Sequence, residues 1–369
     1  MRRWQLDDAG GAPELAEVTA SLGDLPWGNP SSLHAEGRAA RAALDSARDR
    51  AAAAIDAEPA DLVFCASGTE AVNLALVGAG RRLARGRRVV TWAAEHVSVL
   101  AAVRRLELEG HPVAILPVDS AAAADPGLIP DDAGLVSIGM ANGEVGTVQP
   151  VDAVVQRCRE LGALVHIDTG QAPRWLRPPT GADLMSFSGR KLGAGPGGLL
   201  MARLEVPIEP LIVGGPHERG RRAGSEDVRS AVAISVALGA CRERRDERSV
   251  AVAPLARSLR GALIEAGGIP TGAENRLPNL ASACFDGVRG EDLLLALDRV
   301  GIAASSGSAC ASGSLDPSHV LIAMGRSLRE AEGSLRLSLG YEADSESVAA
   351  AAALLGSTLL SLVRHAEKS

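Results

Sequence analysis

Lysine occurs twice in the 369 residues, at Lys191 and at the penultimate Lys368, and arginine carries nearly all the positive charge. Chemistry that needs a primary amine inside the fold therefore has one candidate. Lys191 sits in Ser186-Phe187-Ser188-Gly189-Arg190-Lys191-Leu192-Gly193-Ala194-Gly195-Pro196-Gly197-Gly198, where glycines let a bulky group approach the backbone. A lone amine there suits imine formation with an aldehyde. The plainer reading, an exposed loop lysine, fits poorly with a chain that has almost purged lysine. A thiol is the second candidate. Cys310 lies in Ser305-Ser306-Gly307-Ser308-Ala309-Cys310-Ala311-Ser312-Gly313, and small polar neighbours favour an exposed, mobile and reactive sulfur. Cys65, Cys158, Cys241 and Cys284 sit in apolar strand or helix patterns and read as buried.

Three further segments place polar groups after short apolar runs. Ala66-Ser67-Gly68-Thr69-Glu70 opens a helical pattern; its small residues and hydroxyls suit a phosphate at a helix N-terminus or a simple N-cap by Ser67 or Thr69. Trp92 leads to Ala93-Ala94-Glu95-His96, where the imidazole can stack on a flat ring, move protons or be structural. His166-Ile167-Asp168 precedes Thr169-Gly170-Gln171. Asp168 can hold the protonated nitrogen of a pyridine ring, so that the ring withdraws electrons from a carbanion, or it can cap the next helix.

The elements that must carry these residues alternate. Strands are expected at 62–65, 88–92, 113–116, 135–138, 163–167, 184–187 and 198–201, and helices at 34–55, 70–83, 98–108 and 151–161. Such alternation argues for a mainly parallel sheet covered by helices, with ligands beyond the carboxyl ends of its strands. After about residue 246 the pattern changes to a long helix, strands at 280–285 and 334–339, and further helices, which predicts a smaller α+β domain.

Length is consistent with two domains. Apolar residues make up 46% and aromatics 2%, so Ala, Leu and Val must fill the core. A net charge of −7 gives no case for binding nucleic acid. Five scattered cysteines with no CxxC pair predict neither disulfides nor a metal site and fit a reducing, cytoplasmic setting. The N-terminal stretch has no apolar core of the signal-peptide kind. The alanine-rich run 348–363 is expected to be a packed helix, short of the ~20 strongly apolar residues of a membrane span.

Together these residues resemble the cysteine desulfurases, within the class V aminotransferase-like, fold-type I enzymes. The resemblance runs from Trp27-Gly28-Asn29-Pro30-Ser31-Ser32-Leu33-His34 to Leu335-Arg336-Leu337-Ser338-Leu339-Gly340. It includes Gly68-Thr69-Glu70-Ala71-Val72-Asn73, Glu95-His96, Asp168-Thr169-Gly170-Gln171, the Lys191 segment and Arg222-Ala223-Gly224-Ser225-Glu226-Asp227-Val228. Ser306-Gly307-Ser308-Ala309-Cys310 followed by Pro317-Ser318-His319-Val320-Leu321 is similar to the subgroup with a long cysteine-bearing loop.

The resemblance implies an α/β fold with a large, mainly parallel seven-stranded domain (13–246) and a small α+β domain (1–12 and 247–369) carrying the Cys310 loop. It implies pyridoxal 5'-phosphate as cofactor, linked as an imine to Lys191. Asp168 is expected at the pyridine nitrogen, His96 on the ring as stacking partner and proton carrier, and Gln171 at the phenolic oxygen. Gly68, Thr69, Ser188 and Arg190 are expected at the phosphate. Ser225 corresponds to a hydroxyl that reaches the partner subunit's phosphate, which implies a homodimer. Asn29 and Arg336 are expected at the substrate, Arg336 at its carboxylate. The implied reaction removes sulfur from L-cysteine, giving L-alanine and a Cys310 persulfide for an acceptor protein or small molecule. Iron–sulfur assembly, tRNA thiolation, DNA sulfur modification and thio-cofactor synthesis all remain possible destinations. Another class V reaction (selenocysteine or cystine lyase, or aminotransferase) and a non-catalytic scaffold for a sulfur carrier are the alternatives.

Three positions depart from the family pattern. Arg190 stands where a histidine is usual. In Ala141-Asn142-Gly143-Glu144-Val145-Gly146 the cofactor-facing asparagine falls on Gly143. Leu6-Asp7-Asp8-Ala9-Gly10-Gly11-Ala12-Pro13 is a reduced form of an Asn- and Thr-containing motif near the substrate. Altered substrate, weakened activity or a specialised biosynthetic role are the expectations these raise.

Overall fold

The computed structural model describes residues 3–307 and 317–366. Twelve strands are formed among the described residues: β1 (Trp4–Gln5), β2 (Leu62–Cys65), β3 (Arg88–Trp92), β4 (Val113–Leu116), β5 (Ala133–Gly139), β6 (Leu164–Gly170), β7 (Leu184–Ser188), β8 (Gly198–Ala202), β9 (Ile269–Pro270), β10 (Leu280–Cys284), β11 (Ile302–Ala303) and β12 (Ser334–Ser338). Each of the seven strands expected from the sequence before residue 246 is present, and together they form one sheet in the order β2-β8-β7-β6-β5-β3-β4. β4, β3, β5, β6 and β7 run parallel, and β8 lies antiparallel between β7 and β2. β2, β5 and β8 are buried along their whole length, as apolar runs in a sheet covered on both faces must be.

Helices at Ala35–Ala54, Val97–Leu108 and Val151–Leu161 follow the expected segments. The last ends at Gly162, whose φ of 59° suits glycine. The helix expected at 70–83 begins at Gly68, capped by Ser67, whose hydroxyl accepts from the Glu70 N–H at 3.1 Å. It continues as a single π-turn at Leu74–Gly78. The capping residue is thus Ser67 and not Thr69.

A 38-residue helix, Val228–Glu265, runs through position 246 with Pro254 inside it. Beyond it β9, β10 and β12 form an antiparallel three-stranded sheet, and the N-terminal β1 pairs with β11. Asp7 bridges to Ser338, so the first residues of the chain lie against the last strand. The helix Ser345–Ala366 is, over 345–364, long and apolar enough to cross a membrane by length and composition, with mean hydropathy 1.6. That differs from the expectation of a run short of this mark, because the helix extends a few residues beyond each end of 348–363. Its burial repeats with helical period: Val348, Ala351, Leu355 and Leu359 are buried, whereas Ala349, Ala350, Ala353, Ser357 and Ser361 face outward. That stripe is the pattern of an amphipathic helix packed on a core, and it packs on Val228–Glu265.

Candidate active site

The carboxyl ends of the central parallel strands open into one cavity. His96 follows β3, Asn142, Gly143 and Glu144 follow β5, Asp168, Gly170 and Gln171 close β6, and Lys191 follows β7. The remaining wall comes from both ends of the chain: Ala9 from the N-terminal arm, and Gly307, His319, Val320 and Arg336 from the C-terminal part.

Lys191 is half-buried, and its Nζ donates to the backbone carbonyls of Ala9 and Gly10. Asp168 is a strand residue and not a helix cap. Its Oδ1 accepts from the Ser186 hydroxyl at 3.0 Å and from the Gly170 N–H at 3.2 Å, while Oδ2 has no hydrogen-bond donor among the described residues. His96 does two things at once. Its Nδ1 caps the helix Val97–Leu108 by accepting from the Ser98 N–H at 3.2 Å, and the residue lines the cavity. Gln171 is buried, with Oε1 lacking a partner among the described residues.

Arg336 is 5% exposed. Its Nη1 donates to the Gly143 carbonyl at 3.1 Å and its Nη2 pairs with Asp7 Oδ1 at 2.8 Å; its buried Nε has no partner among the described residues. The guanidinium expected at a substrate carboxylate thus already holds one carboxylate of the N-terminal arm. The next residue, Asp8, forms a fully buried ion pair with Arg174. The Gly143 position is open, with nothing within 4 Å of where a Cβ would stand.

Two carboxyls join the site that the sequence alone does not mark as site groups. Glu95 accepts from the Gly139 N–H at 2.9 Å, and burial pushes its carboxyl up to about 8. Burial likewise pushes Glu144 up to about 7. His319 also lines the cavity, its Nε2 2.8 Å from the Glu95 carbonyl oxygen. The signal for Glu95 is its place beside His96 after a strand. Glu144 and His319 fall in segments compared with the family pattern, but the sequence assigns neither a role.

The phosphate candidates stand apart from these lining residues but close to one another. A Cβ on Gly68 would lie 2.8 Å from Ser188 Cβ, so Gly68, Thr69 and Ser188 share one corner. Arg190 is exposed and does not line the cavity; its Cγ lies 3.3 Å from a Cβ built on Gly11. Asn29 and Ser225 are also outside the cavity. Both are exposed and meet in a second depression with Arg41, His217 and Glu226. Cys310 lies outside the described residues. Gly307 before it and His319 beyond it both line the cavity.

The cavity fits a pyridine ring bearing an aldehyde. It offers one amine, a carboxylate with an uncommitted oxygen and an orphaned buried amide, and Gly170, like Gly143, leaves open space where a Cβ would stand. The Gly68–Ser188 contact is too tight for any larger residue at position 68.

Comparisons with known proteins show the family. The sequence profile of the class V aminotransferases matches residues 5–350. A cysteine desulfurase of Gluconacetobacter diazotrophicus is 41% identical over 331 residues, covering 86% of this chain and 82% of that protein. A solved NifS-like protein superposes with a TM-score of 0.89 at 30% identity, covering 97% of this chain and 99% of that one. SspA in complex with cysteine superposes with a TM-score of 0.77 at 27% identity over 92% of this chain and 99% of its own. A β3–β7 edge that gathers an amine, a carboxylate and an imidazole, on a chain matched over most of its length by the family profile and by a cysteine desulfurase, places this chain in the class V aminotransferase family, among the cysteine desulfurases.

Proposed function

We propose that this protein removes sulfur from L-cysteine with pyridoxal phosphate, giving L-alanine and a persulfide on Cys310. The observation that carries this reading is the convergence of Lys191, Asp168, His96 and Arg336 on one cavity flanked by both ends of the Cys310 segment. When bound, the cofactor supplies an imine carbon for the substrate amine and a ring that accepts the electron pair left by a lost proton.

The chain's own groups do the rest. Gly68, Thr69 and Ser188 hold the phosphate, and Ser67, already committed to the helix cap, leaves Thr69 available. Asp168 would keep a proton on the ring nitrogen through its uncommitted Oδ2, and Gln171 would donate an amide Nε2–H to the phenolic oxygen. His96 is fixed by its cap bond, so the imidazole face is positioned before ligand arrives. Arg336 takes the substrate carboxylate with the donors that Asp7 and Gly143 leave over. The Lys191 amine, which lines the cavity, would act as the base that takes the substrate α-hydrogen. The Cys310 thiolate then attacks the substrate sulfur: the new S–S bond forms as the C–S bond breaks, its electron pair stays on carbon, and protonation there yields alanine.

A homodimer completes the reading. Asn29 and Ser225 do not line their own chain's cavity, and Trp27, Leu33 and Val213 in the neighbouring segments are 85%, 90% and 80% exposed, an apolar surface suited to a second copy. A cytoplasmic setting suits the four described cysteines, all unpaired. An acceptor protein takes the sulfur on.

Mass spectrometry of the protein after a single turnover with cysteine tests the proposal. One added sulfur on Cys310 is expected. The Cys310→Ala variant should bind cofactor and cysteine with the normal first spectral change yet make no persulfide. Normal alanine production by that variant, or sulfur on another cysteine, overturns the proposal in favour of a lyase acting without the persulfide.

A further inference from the structure

Behind Asp168 lies a chain of polar groups with no contact to solvent. Ser137 on β5, His166 on β6 and Ser186 on β7 are 0%, 0% and 1% exposed. Register brings them together: Ser137 is paired with His166, and Asp168 with Ser186. Because side chains alternate along a strand, His166 and Asp168 point to the same face of the sheet. Ser137 Oγ is 2.8 Å from His166 Nδ1, His166 Nε2 is 3.2 Å from Ser186 Oγ, and the Ser186 hydroxyl donates to Asp168 Oδ1 at 3.0 Å.

Counting protons gives this chain a direction. An ionised carboxylate only accepts, so Ser186 must give its single hydrogen to Asp168. Its oxygen can then only accept from His166, which requires a hydrogen on Nε2. In a neutral imidazole Nδ1 is then the acceptor and takes the Ser137 hydrogen. The opposite tautomer sends the Ser186 hydrogen to His166 and sets a bare hydroxyl oxygen against the Asp168 carboxylate. Burial holds the imidazole neutral, pushing its pKa down to about 4 against the opposing pull of Asp168.

We propose that Ser137, His166 and Ser186 form a one-way hydrogen-bond relay that stabilises Asp168 as the anion facing the cofactor nitrogen, with His166 a positioning residue locked in its Nε2–H tautomer. The cofactor's part in this rests on the function proposed above; the relay and the tautomer belong to the protein alone. In water a second carboxylate or a water molecule could serve the same end. In the dry interior of a sheet only a fully satisfied chain avoids the cost of an unpaired polar group.

The test is long-range proton–nitrogen NMR on the full-length protein labelled at its seven histidines, stripped of cofactor and then titrated with pyridoxal phosphate. His166 is assigned by the signal missing from His166→Gln. A neutral Nε2–H imidazole that does not titrate between about pH 5.5 and 8, across the usual histidine range, is expected with and without cofactor. An Nδ1–H tautomer or an imidazolium overturns the relay. Ser186→Ala cuts the chain beside Asp168 and should weaken pyridoxal phosphate binding roughly tenfold or more, the scale of one hydrogen bond to a charged group, read by fluorescence quenching. Affinity within about twofold of the parent in a folded Ser186→Ala protein also overturns it, since a tenfold loss is the expected scale. If that variant does not fold, the tautomer in the parent protein decides. A parent protein that binds no pyridoxal phosphate sinks the proposed function, while the His166 tautomer still decides for or against the relay.

Discussion

Replacing Asp8 by alanine tests how the N-terminal arm is held. Asp8 and Arg174 are each 2% exposed and form a direct ion pair. Arg174 also lies over the Tyr341 ring at 4.3 Å and the Trp175 ring at 5.4 Å, and the Tyr341 hydroxyl donates to the Arg174 carbonyl at 2.7 Å. The aromatic faces attract the guanidinium but carry no net charge, so Asp8→Ala strands a buried cation. Breaking a buried pair from one side costs about 3–5 kcal/mol, a large share of a net stability of about 5–15 kcal/mol. Asp8→Asn keeps a hydrogen-bond acceptor and should cost less. The double variant Asp8→Leu with Arg174→Met removes both charges and should recover most of the loss, because a buried pair replaced by apolar groups is often neutral in cost. Urea midpoints of the parent, Asp8→Leu, Arg174→Met and the double variant give the cycle. The same arm supplies the carbonyls that hold Lys191 and the Asp7 carboxylate that holds Arg336, so Asp8→Ala should also raise the cysteine KM. The reasoning fails if Asp8→Ala costs less than about 1 kcal/mol, well under the range for a broken buried pair, or if the double variant is as unstable as the two singles combined.

Lys191→Ala should lose the borohydride-reducible cofactor adduct and all turnover; a surviving adduct would point to a different amine. Sedimentation should show a dimer, and a fully active monomer would contradict the proposed sharing of Ser225 across an interface. Glu95 gives a pH prediction. With its carboxyl raised from 4.5 to about 8 in the folded protein, the native state binds more protons than the unfolded state between those values, so stability falls as pH rises through that window. The ceiling on this term is about 5 kcal/mol. Glu95→Gln should flatten the fall in thermal melts across that window, and an unchanged slope would show that Glu95 is ionised throughout.

The sheet is legible in the sequence because its signals are local. Apolar runs such as 62–65 and 198–201 stand between glycines and helical patterns, and most bounds agree with the strands to within about two residues, the run at 163–167 stopping three short of the end of β6. The chemistry at strand ends is legible for the same reason: Lys191, Asp168 and His96 each lie at or just beyond the end of a strand. Pairing at a distance is not. Nothing near Asp7 or Asp8 announces partners 329 and 166 residues away, and the motif that reads as reduced is an arm pinned by two arginines. The strand period puts His166 on the Asp168 face, yet Ser137 and Ser186 become its neighbours only through register across three strands. Arg190 is next to Lys191 in the chain, which suggests the phosphate, but in the fold its side chain lies over Gly11. Asn29 and Ser225 belong to the site by resemblance, and a single chain leaves both in the other depression.

The helix Val228–Glu265 bears on how the protein unfolds. At about 1.5 Å per residue it is a rod of about 57 Å, and it packs against Ala35–Ala54, Ala16–Ser21, β10 and Ser345–Ala366. Melting of this rod would uncover β10 and unseat Ala35–Ala54, so the seven-stranded and three-stranded sheets are expected to unfold together despite their separate topologies. Pro254 is the one interruption: it removes the bond to the Val250 carbonyl, but Val250 is 78% exposed, so water can replace the lost donor there. The rod thus tolerates its proline without dividing the molecule into two independently melting halves.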